Sequence, residues 1–308
     1  MKIYINDAKE NWIADRFKNE WNKYNQPTRK YPYLLKNNIV WIIAPWTWRK
    51  IPKKTLKRNK VLCTIHHIDE SKFGDKEAYD FYERDKYVDK YHIISDDTFK
   101  KIKKLTDKPI QKIPFWVNQN IWFYINEKNI IRKKYSLDDS SYLVGSFQRD
   151  TEGSDLKSPK LSKGPDRFIE IVKHMRKSKP NLLVVLTGKR RNYIIENLEN
   201  LKIPYKYFEM TNFNELNELY NILDLYIVSS RVEGGPQSIV EASLTKTPVV
   251  STNVGIAQEI LSPESIFDMQ NFNEAKPNIK IAYNNASNLK IPDGFKQFNE
   301  MMIDLYEN

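Results

Sequence analysis

One cysteine, Cys63, stands in 308 residues, which excludes an internal disulfide framework and fits a reducing compartment. No apolar run approaches the ~18–20 residues that cross a bilayer; the longest, such as Ile39–Ala44, have strand length. The opening Met-Lys-Ile-Tyr-Ile-Asn-Asp meets a charge too early for the apolar core of a secretory leader. These absences predict a cytoplasmic protein. There is no Asp-x-Asp pair and no Cys/His set at metal-ligand spacing, so no metal and no other cofactor is expected. Acidic residues are missing between Trp21 and Ile68, a stretch with eleven Lys and Arg; the formal net charge is +11, so the remainder is near neutral. A basic face of that kind steers anionic partners: phospholipid, nucleic acid or a phosphorylated acceptor. A solvated lysine-rich surface is the plainer reading of the same charges.

What is present is unevenly distributed. All seven tryptophans fall within residues 1–122, and eight of nine glycines lie at or after Gly145. That break predicts a small first domain over 1–122, a second over 123–285, and a tail over 286–308. Both domains alternate strand-length apolar runs with helical patterns. In the first, Lys2–Ile5, Ile39–Ala44, Val61–Ile65 and Tyr91–Ile94 read as strands, and 12–24 as a helix with Trp12, Ala14, Phe17 and Trp21 on its apolar face. In the second, Tyr142–Ser146, Leu182–Thr187, Leu225–Ser229 and Pro248–Ser251 alternate with helices starting at Pro165, Glu215 and Pro236. The expected class is α/β: two Rossmann-like domains, parallel sheets facing across a cleft.

The most informative segment is Ser229-Ser-Arg-Val-Glu-Gly-Gly-Pro-Gln-Ser-Ile-Val-Glu-Ala-Ser, followed by Pro248-Val-Val-Ser-Thr-Asn-Val-Gly255 and Glu259. A buried strand ends in a loop bearing Glu233; Gly234 and Gly235 let backbone approach a ligand. Pro236 opens a helix whose free N–H groups over Gln237 and Ser238 form an anion site. Glu241 lies just over a turn into that helix. The set suits a polyhydroxylated, phosphorylated ligand.

Glu233 and Glu241, with seven residues between them, and the downstream Pro-Val-Val-x-Thr-x-x-Gly-x-x-x-Glu resemble the donor-site motif of the family-4 retaining glycosyltransferases. The resemblance implies the two-domain GT-B fold and a nucleotide-sugar donor. It makes Glu241 the carboxylate on the donor ribose, Glu233 the one facing the sugar, and Gly235 to Ser238 the backbone contacts. The Arg and Lys that hold the family's donor diphosphate correspond to Arg149, in Leu143-Val-Gly-Ser-Phe-Gln-Arg149, and to Lys163, in Ser162-Lys-Gly164. A polar insertion at 151–161 leaves Lys157 and Lys160 as alternatives to Lys163. Tyr207–Leu216 matches the stretch that packs on the base. Val61-Leu-Cys-Thr-Ile-His66-His67 matches the strand whose final His reaches the reacting sugar, His66 first and His67 second. By the same resemblance the tail crosses back to the first domain. Two departures stand out: no glycine loop follows the first strand, and Phe115 and Trp116 replace the usual Asn-Gly between the domains.

The implied reaction is metal-independent sugar transfer with retention, to a glycan, lipid-linked or other anionic acceptor. Trp46, Trp48 and Arg49, aromatics beside a cation at a strand end, are the acceptor-side candidates. The basic stretch 21–68 is the candidate for peripheral contact with the inner membrane face, and for nucleic acid as second partner. A sugar-nucleotide epimerase or phosphorylase, and a non-catalytic GT-B subunit, are the rival classes.

Overall fold

In the computed structural model, which describes residues 1–10 and 13–308, the apolar runs become parallel strands of two sheets, each in its own unit. The first sheet holds β1 (Ile3–Ile5), β2 (Ile39–Ile42), β3 (Lys60–Ile65), β4 (Lys90–Ile93) and β5 (Ile110–Lys112), side by side in chain order. Because side chains alternate along a strand, each face has its own residues. Helix α1 (Ile13–Tyr24) lays Phe17 and Trp21 on the face that carries Trp41. Trp12, expected on the same stripe, lies outside the described residues. The other face carries Val40, Ile42, Val61, Cys63, Tyr91 and Ile93. It is covered by Leu56 of α2 (Lys53–Leu56), Phe81 of α3 (Asp75–Asp85) and Ile102 of α4 (Asp96–Ile102). Ser95 starts α4 by accepting the Thr98 N–H.

The second unit contains α5 (Lys128–Lys134), β6 (Tyr142–Ser146), α6 (Pro165–Ser178), β7 (Leu182–Thr187), α7 (Asn192–Asn200), β8 (Tyr205–Phe208) and α8 (Phe213–Ile222). It continues through β9 (Leu225–Val228), α9 (Gln237–Leu244), β10 (Val249–Thr252), α10 (Ala257–Ile260), β11 (Ile266–Phe267) and α11 (Ile279–Ser287). Asn212 and Glu215 form a capping box at the start of α8. The strand order is β11-β10-β9-β6-β7-β8, all parallel.

The final helix, α12 (Lys296–Glu307), belongs with the first unit, which comprises 1–116 and 289–308; the second comprises 117–288. The division therefore falls at 116/117 and 288/289, whereas the sequence places it at 122/123 and 285/286. Trp122 accounts for the first difference. Its ring packs on Phe213 and Tyr220, and the next N–H, of Phe123, donates to Asn217, so this tryptophan serves the second core. Phe115 and Trp116, the two residues in place of Asn-Gly, are fully buried in the first unit. Phe115 stacks on Phe17 at 3.9 Å, and Trp116 meets Phe295 at 4.7 Å and Phe298 at 5.2 Å. An aromatic core joins α1, the sheet and α12, and the Trp116 N–H donates to the buried Glu20 carboxylate at 2.8 Å.

Candidate functional site

In the second sheet the chain runs β6, β7, β8 to one side, then returns to place β9, β10 and β11 on the other. The loops leaving β6 and β9 must therefore part, and open sheets take ligands at the carboxyl ends of strands where this reversal occurs. The first sheet, in simple chain order, has no reversal. At the β6/β9 reversal the loop after β6 carries Gln148 and Arg149, and the loop after β9 carries Ser229 to Pro236.

Lys163 and Glu233, seventy positions apart, meet there: Nζ lies 2.5 Å from Oε1. The Ser230 hydroxyl is 3.0 Å from the same carboxylate oxygen and 3.2 Å from Gln148 Oε1, while Gln148 Nε2 donates to the Lys163 carbonyl at 2.9 Å. Two glycines hold the loops this close. Gly164 has φ +61, and a Cβ there would fall on the Ser229 carbonyl, whose own hydroxyl donates to the Gly164 carbonyl at 2.8 Å. Gly255 has φ +55, and a Cβ would come within 2.6 Å of the Gly234 carbonyl and 2.7 Å of Pro236. Only glycine tolerates both the backbone and the contact. The segment after β10 is thereby pressed against the Gly234–Pro236 turn that leads into α9.

Pro236 occupies the N-cap position of α9, so the helix starts at Gln237, one residue later than the sequence suggests. Gln237 Oε1 is buried without a hydrogen-bond partner among the described residues. Glu241, one turn on, is buried and accepts from the Tyr220 hydroxyl at 3.1 Å. Tyr220 and Tyr226 pack 5.2 Å apart, and Tyr226 Oη accepts the Phe147 N–H at 3.3 Å. Burial, the largest cause, raises both phenol pKa values, so both stay protonated and able to donate.

Arg149 is half-buried and donates through Nε to the Thr151 carbonyl at 2.8 Å; no contact joins it to Glu233. Beside it, Asp150 makes a fully buried ion pair with Arg191 at 2.6 Å, and Arg191 also donates to the Ser146 and Thr187 carbonyls. The insertion 151–161 closes on itself through a Thr151–Pro159 bridge, with the Lys160 N–H donating to the Asp150 carbonyl at 2.7 Å. Lys157 therefore sits on an exposed loop, and Lys163 is the lysine that meets Glu233. In the stretch Tyr207–Leu216, Tyr207 donates to the Gly188 carbonyl, while Met210 and Phe213 are exposed.

In the first unit, His66 is half-buried at the end of β3. Its Nε2 lies 2.8 Å from the Ile43 carbonyl, which can only accept; Nε2 therefore carries the proton and Nδ1 is an acceptor. Burial between Phe115 and Trp46 lowers its pKa to about 4. His67 is exposed. The absent glycine turn after β1 is replaced by the buried Asn6, whose amide bonds Ala44 and Thr47 at the end of β2.

The three acceptor-side candidates are placed differently from one another. Residues 45–50 form a 3-10 turn rather than extended chain, so side chains two apart point away from each other. Trp46 is 51% exposed, but Trp48 is only 2% exposed and donates its N–H to Asp80. Arg49 pairs with the same Asp80 at 2.8 Å. Trp48 is thus committed to the core of the first unit, while Arg49 remains exposed beside Asp80. Among the described residues no three His, Cys, Asp or Glu side chains gather as a metal site.

Residues 158–288 match the family described as Glycosyl transferases group 1, a span running from just before Lys163 to the end of the second unit. This part of the chain is a glycosyltransferase group 1 domain, and the chain as a whole has the GT-B fold. Among solved structures it is similar to the sucrose-phosphate synthase of Thermosynechococcus elongatus (TM-score 0.68, 14% identity, 96% of this chain and 76% of that one). It is also similar to HepE of Anabaena in complex with UDP (0.69, 14%, 94% and 82%) and to a glycosyltransferase of Rickettsia africae (0.66, 17%, 98% and 84%). A comparison with curated proteins finds no match. The glycosyltransferase domain thus includes Lys163, Glu233 and Glu241, while Gln148 and Arg149 precede it on the same sheet.

Sequence reasoning missed Gln148, Ser230, Tyr220, Tyr226 and the Asp150–Arg191 pair. None carries a local motif; each acquires its partner only when strands far apart in sequence become neighbours.

Proposed function

We propose that this glycosyltransferase moves a sugar from a nucleotide-activated donor to an acceptor hydroxyl, with retention and without a metal ion. The observation that carries the reading is the Lys163–Glu233 pair set beside the start of α9, at the strand reversal of the second sheet. A diphosphate entering there meets a cation and free helix N–H groups, which disperse charge on the leaving group as a divalent ion would. Arg149 adds a second cation once its guanidinium turns from the Thr151 carbonyl. Glu233, released from Lys163, accepts from sugar hydroxyls, and Glu241 takes the ribose hydroxyls with Tyr220 holding its carboxylate. Gln237 Oε1 is a buried acceptor awaiting a donor; leaving such a group unpaired costs about 1–3 kcal/mol, which a ligand hydroxyl would offset. In the proposed step the acceptor hydroxyl attacks on the face the diphosphate leaves: its oxygen bonds to the anomeric carbon as the bond to phosphate breaks, and the leaving phosphate oxygen takes the proton. The neutral His66, with Nδ1 free to accept, is proposed to bind a hydroxyl of the reacting sugar. The buried, solitary Cys63 and the lack of any membrane-crossing helix among the described residues support a cytoplasmic setting. For the acceptor, a glycan or lipid-linked sugar fits the half-exposed ring of Trp46.

HepE has been solved with UDP, with UDP and glucose, and with UDP-glucose, which makes uridine donors the first to try. The test is a thermal-shift series with UDP-, GDP-, dTDP- and ADP-sugars, wild type against Glu241→Ala. A ligand at ~100 times its dissociation constant adds about 2.7 kcal/mol of stability. One nucleotide stabilising the wild type but not the variant is the expected result. No response to any nucleotide would overturn the donor assignment.

A further inference from the structure

The basic stretch does not form one surface. Arg49 follows β2 on the carboxyl side of the first sheet and is neutralised by Asp80. Most of the remaining cations collect at the opposite, amino-terminal end of the strands. The chain enters β2 through Lys36 to Asn38 and β3 through Lys57 to Asn59, and the Asn37 N–H donates to the Arg58 carbonyl at 2.9 Å. The Asn59 amide ties the Leu35 and Thr55 carbonyls. The 3-10 turn Pro32–Leu34 and helix α2 are thereby joined into one continuous surface.

Lys36, Lys53, Lys54, Lys57 and Arg58 are all exposed on it. Among the described residues none of the five lies within ion-pair distance of a carboxylate, though Lys53 helps hold the Glu83 carboxyl ionised beside its own partner Lys86. Apolar groups sit among them: Tyr31 is 45%, Tyr33 63% and Leu34 72% exposed, with Lys30 over the Tyr31 ring at 5.3 Å. Apolar side chains protruding between unpaired lysines are costly in water and suited to an interface. There the rings and Leu34 enter the headgroup layer while the ammonium groups meet lipid phosphates.

We infer that this amino-terminal end of the first sheet docks on the surface of an anionic lipid bilayer. Charge complementarity selects an anionic partner, and Leu34 selects lipid over nucleic acid, since it offers neither a stacking face for a base nor a donor for a phosphate. The position also matters. Open α/β sheets take substrates at the carboxyl ends of their strands, so docking through the amino ends leaves the substrate end of this sheet free. The contact is peripheral, because no helix among the described residues is long and apolar enough to cross a membrane. The inference stands on the first unit and is independent of the donor reading.

The experiment is co-sedimentation of the full chain with phosphatidylcholine vesicles, with and without about 30% phosphatidylglycerol, at low and high salt. Wild type should bind the anionic vesicles at least tenfold more tightly, and salt should release it. Each cation removed in Lys53→Gln/Lys57→Gln should weaken partitioning roughly fivefold. Tyr33→Ser/Leu34→Ser should weaken it further and make what remains more salt-sensitive. All four side chains are exposed, and a urea-unfolding midpoint by tryptophan fluorescence equal to wild type would show that the variants fold, whether or not the donor reading holds. Equal binding to neutral vesicles, no binding to anionic ones at low salt, or unchanged binding by both variants would overturn the inference. So would a DNA duplex that binds more tightly than the vesicles and is indifferent to Leu34→Ser, which would reassign the surface to nucleic acid.

Discussion

Two histidines of the first unit should make it acid-labile in a window that can be calculated. His92 is fully buried on β4: Nδ1 lies 2.9 Å from the Thr64 hydroxyl, which itself accepts the Trp41 N–H, and Nε2 lies 2.8 Å from the Ile113 carbonyl. Every neighbour thus fits the neutral ring, and burial lowers the pKa from 6.5 to about 3. His66 is lowered from 6.5 to about 4, again chiefly by burial. The unfolded chain binds protons at both sites near pH 6.5, whereas the folded chain resists until far lower pH. Stability from these groups is therefore complete above pH 6.5 and is lost as the pH falls toward their folded values. Between pH 7.5 and 5, each group costs about 2 kcal/mol, so the pair removes about 3–4 kcal/mol once the partial exposure of His66 is allowed for. Carboxylates titrate mainly below this window. Urea unfolding followed by tryptophan fluorescence suits the test, because six of the seven tryptophans lie in residues 1–116. His92→Gln and His66→Gln will lower stability at pH 7.5, but each should shrink the drop to pH 5 by about half. A wild-type drop below about 1 kcal/mol, or an undiminished drop in the double variant, would refute the reasoning.

Four further outcomes follow from the second unit and the aromatic core. Lys163→Ala and Glu233→Gln should each lower turnover by about 100-fold or more while leaving the unfolding midpoint near wild type; near-normal turnover in both would sink the proposed roles. Arg191→Met should destabilise by about 3–5 kcal/mol, because Asp150 is left as an uncompensated buried charge, and Asp150→Asn in the same chain should restore part of it. Denaturant titration would measure both. Gly164→Ala should cost more than about 1 kcal/mol and weaken donor binding together, since the φ of +61 and the Ser229 carbonyl both exclude a Cβ; unchanged binding by calorimetry would contradict the loop argument. Trp116→Ala should cost about 3–5 kcal/mol and raise hydrogen exchange in α12, which packs on it.

The sequence by itself determined what depends on local chemistry. Strand-length apolar runs set the α/β class, and β6 and β7 were legible to the residue because each is continuous, buried and bounded by turn chemistry. Glu233 and Glu241 were read from a contiguous strand–loop–helix signal with paired glycines, whereas Lys163 came from the resemblance of Ser162-Lys-Gly164, with Lys157 and Lys160 still open. Strand β5, short and with half-buried side chains, was not read, and neither was α7. Tertiary structure alone decided the rest. Strand order is not written in any window of residues, yet it sets β6 against β9 and so brings Lys163 to Glu233. A tryptophan run does not say which rings are core: a 3-10 turn buries Trp48 and exposes Trp46, and Trp122 joins the second unit because Phe213 and Tyr220 are there to receive it. Eleven cations in a row do not say which way they face; the parallel sheet sends most to its amino-terminal end, because successive strands start there. Local pattern fixes what each segment becomes, and long-range packing fixes which side chains find a partner and which remain free to meet a ligand.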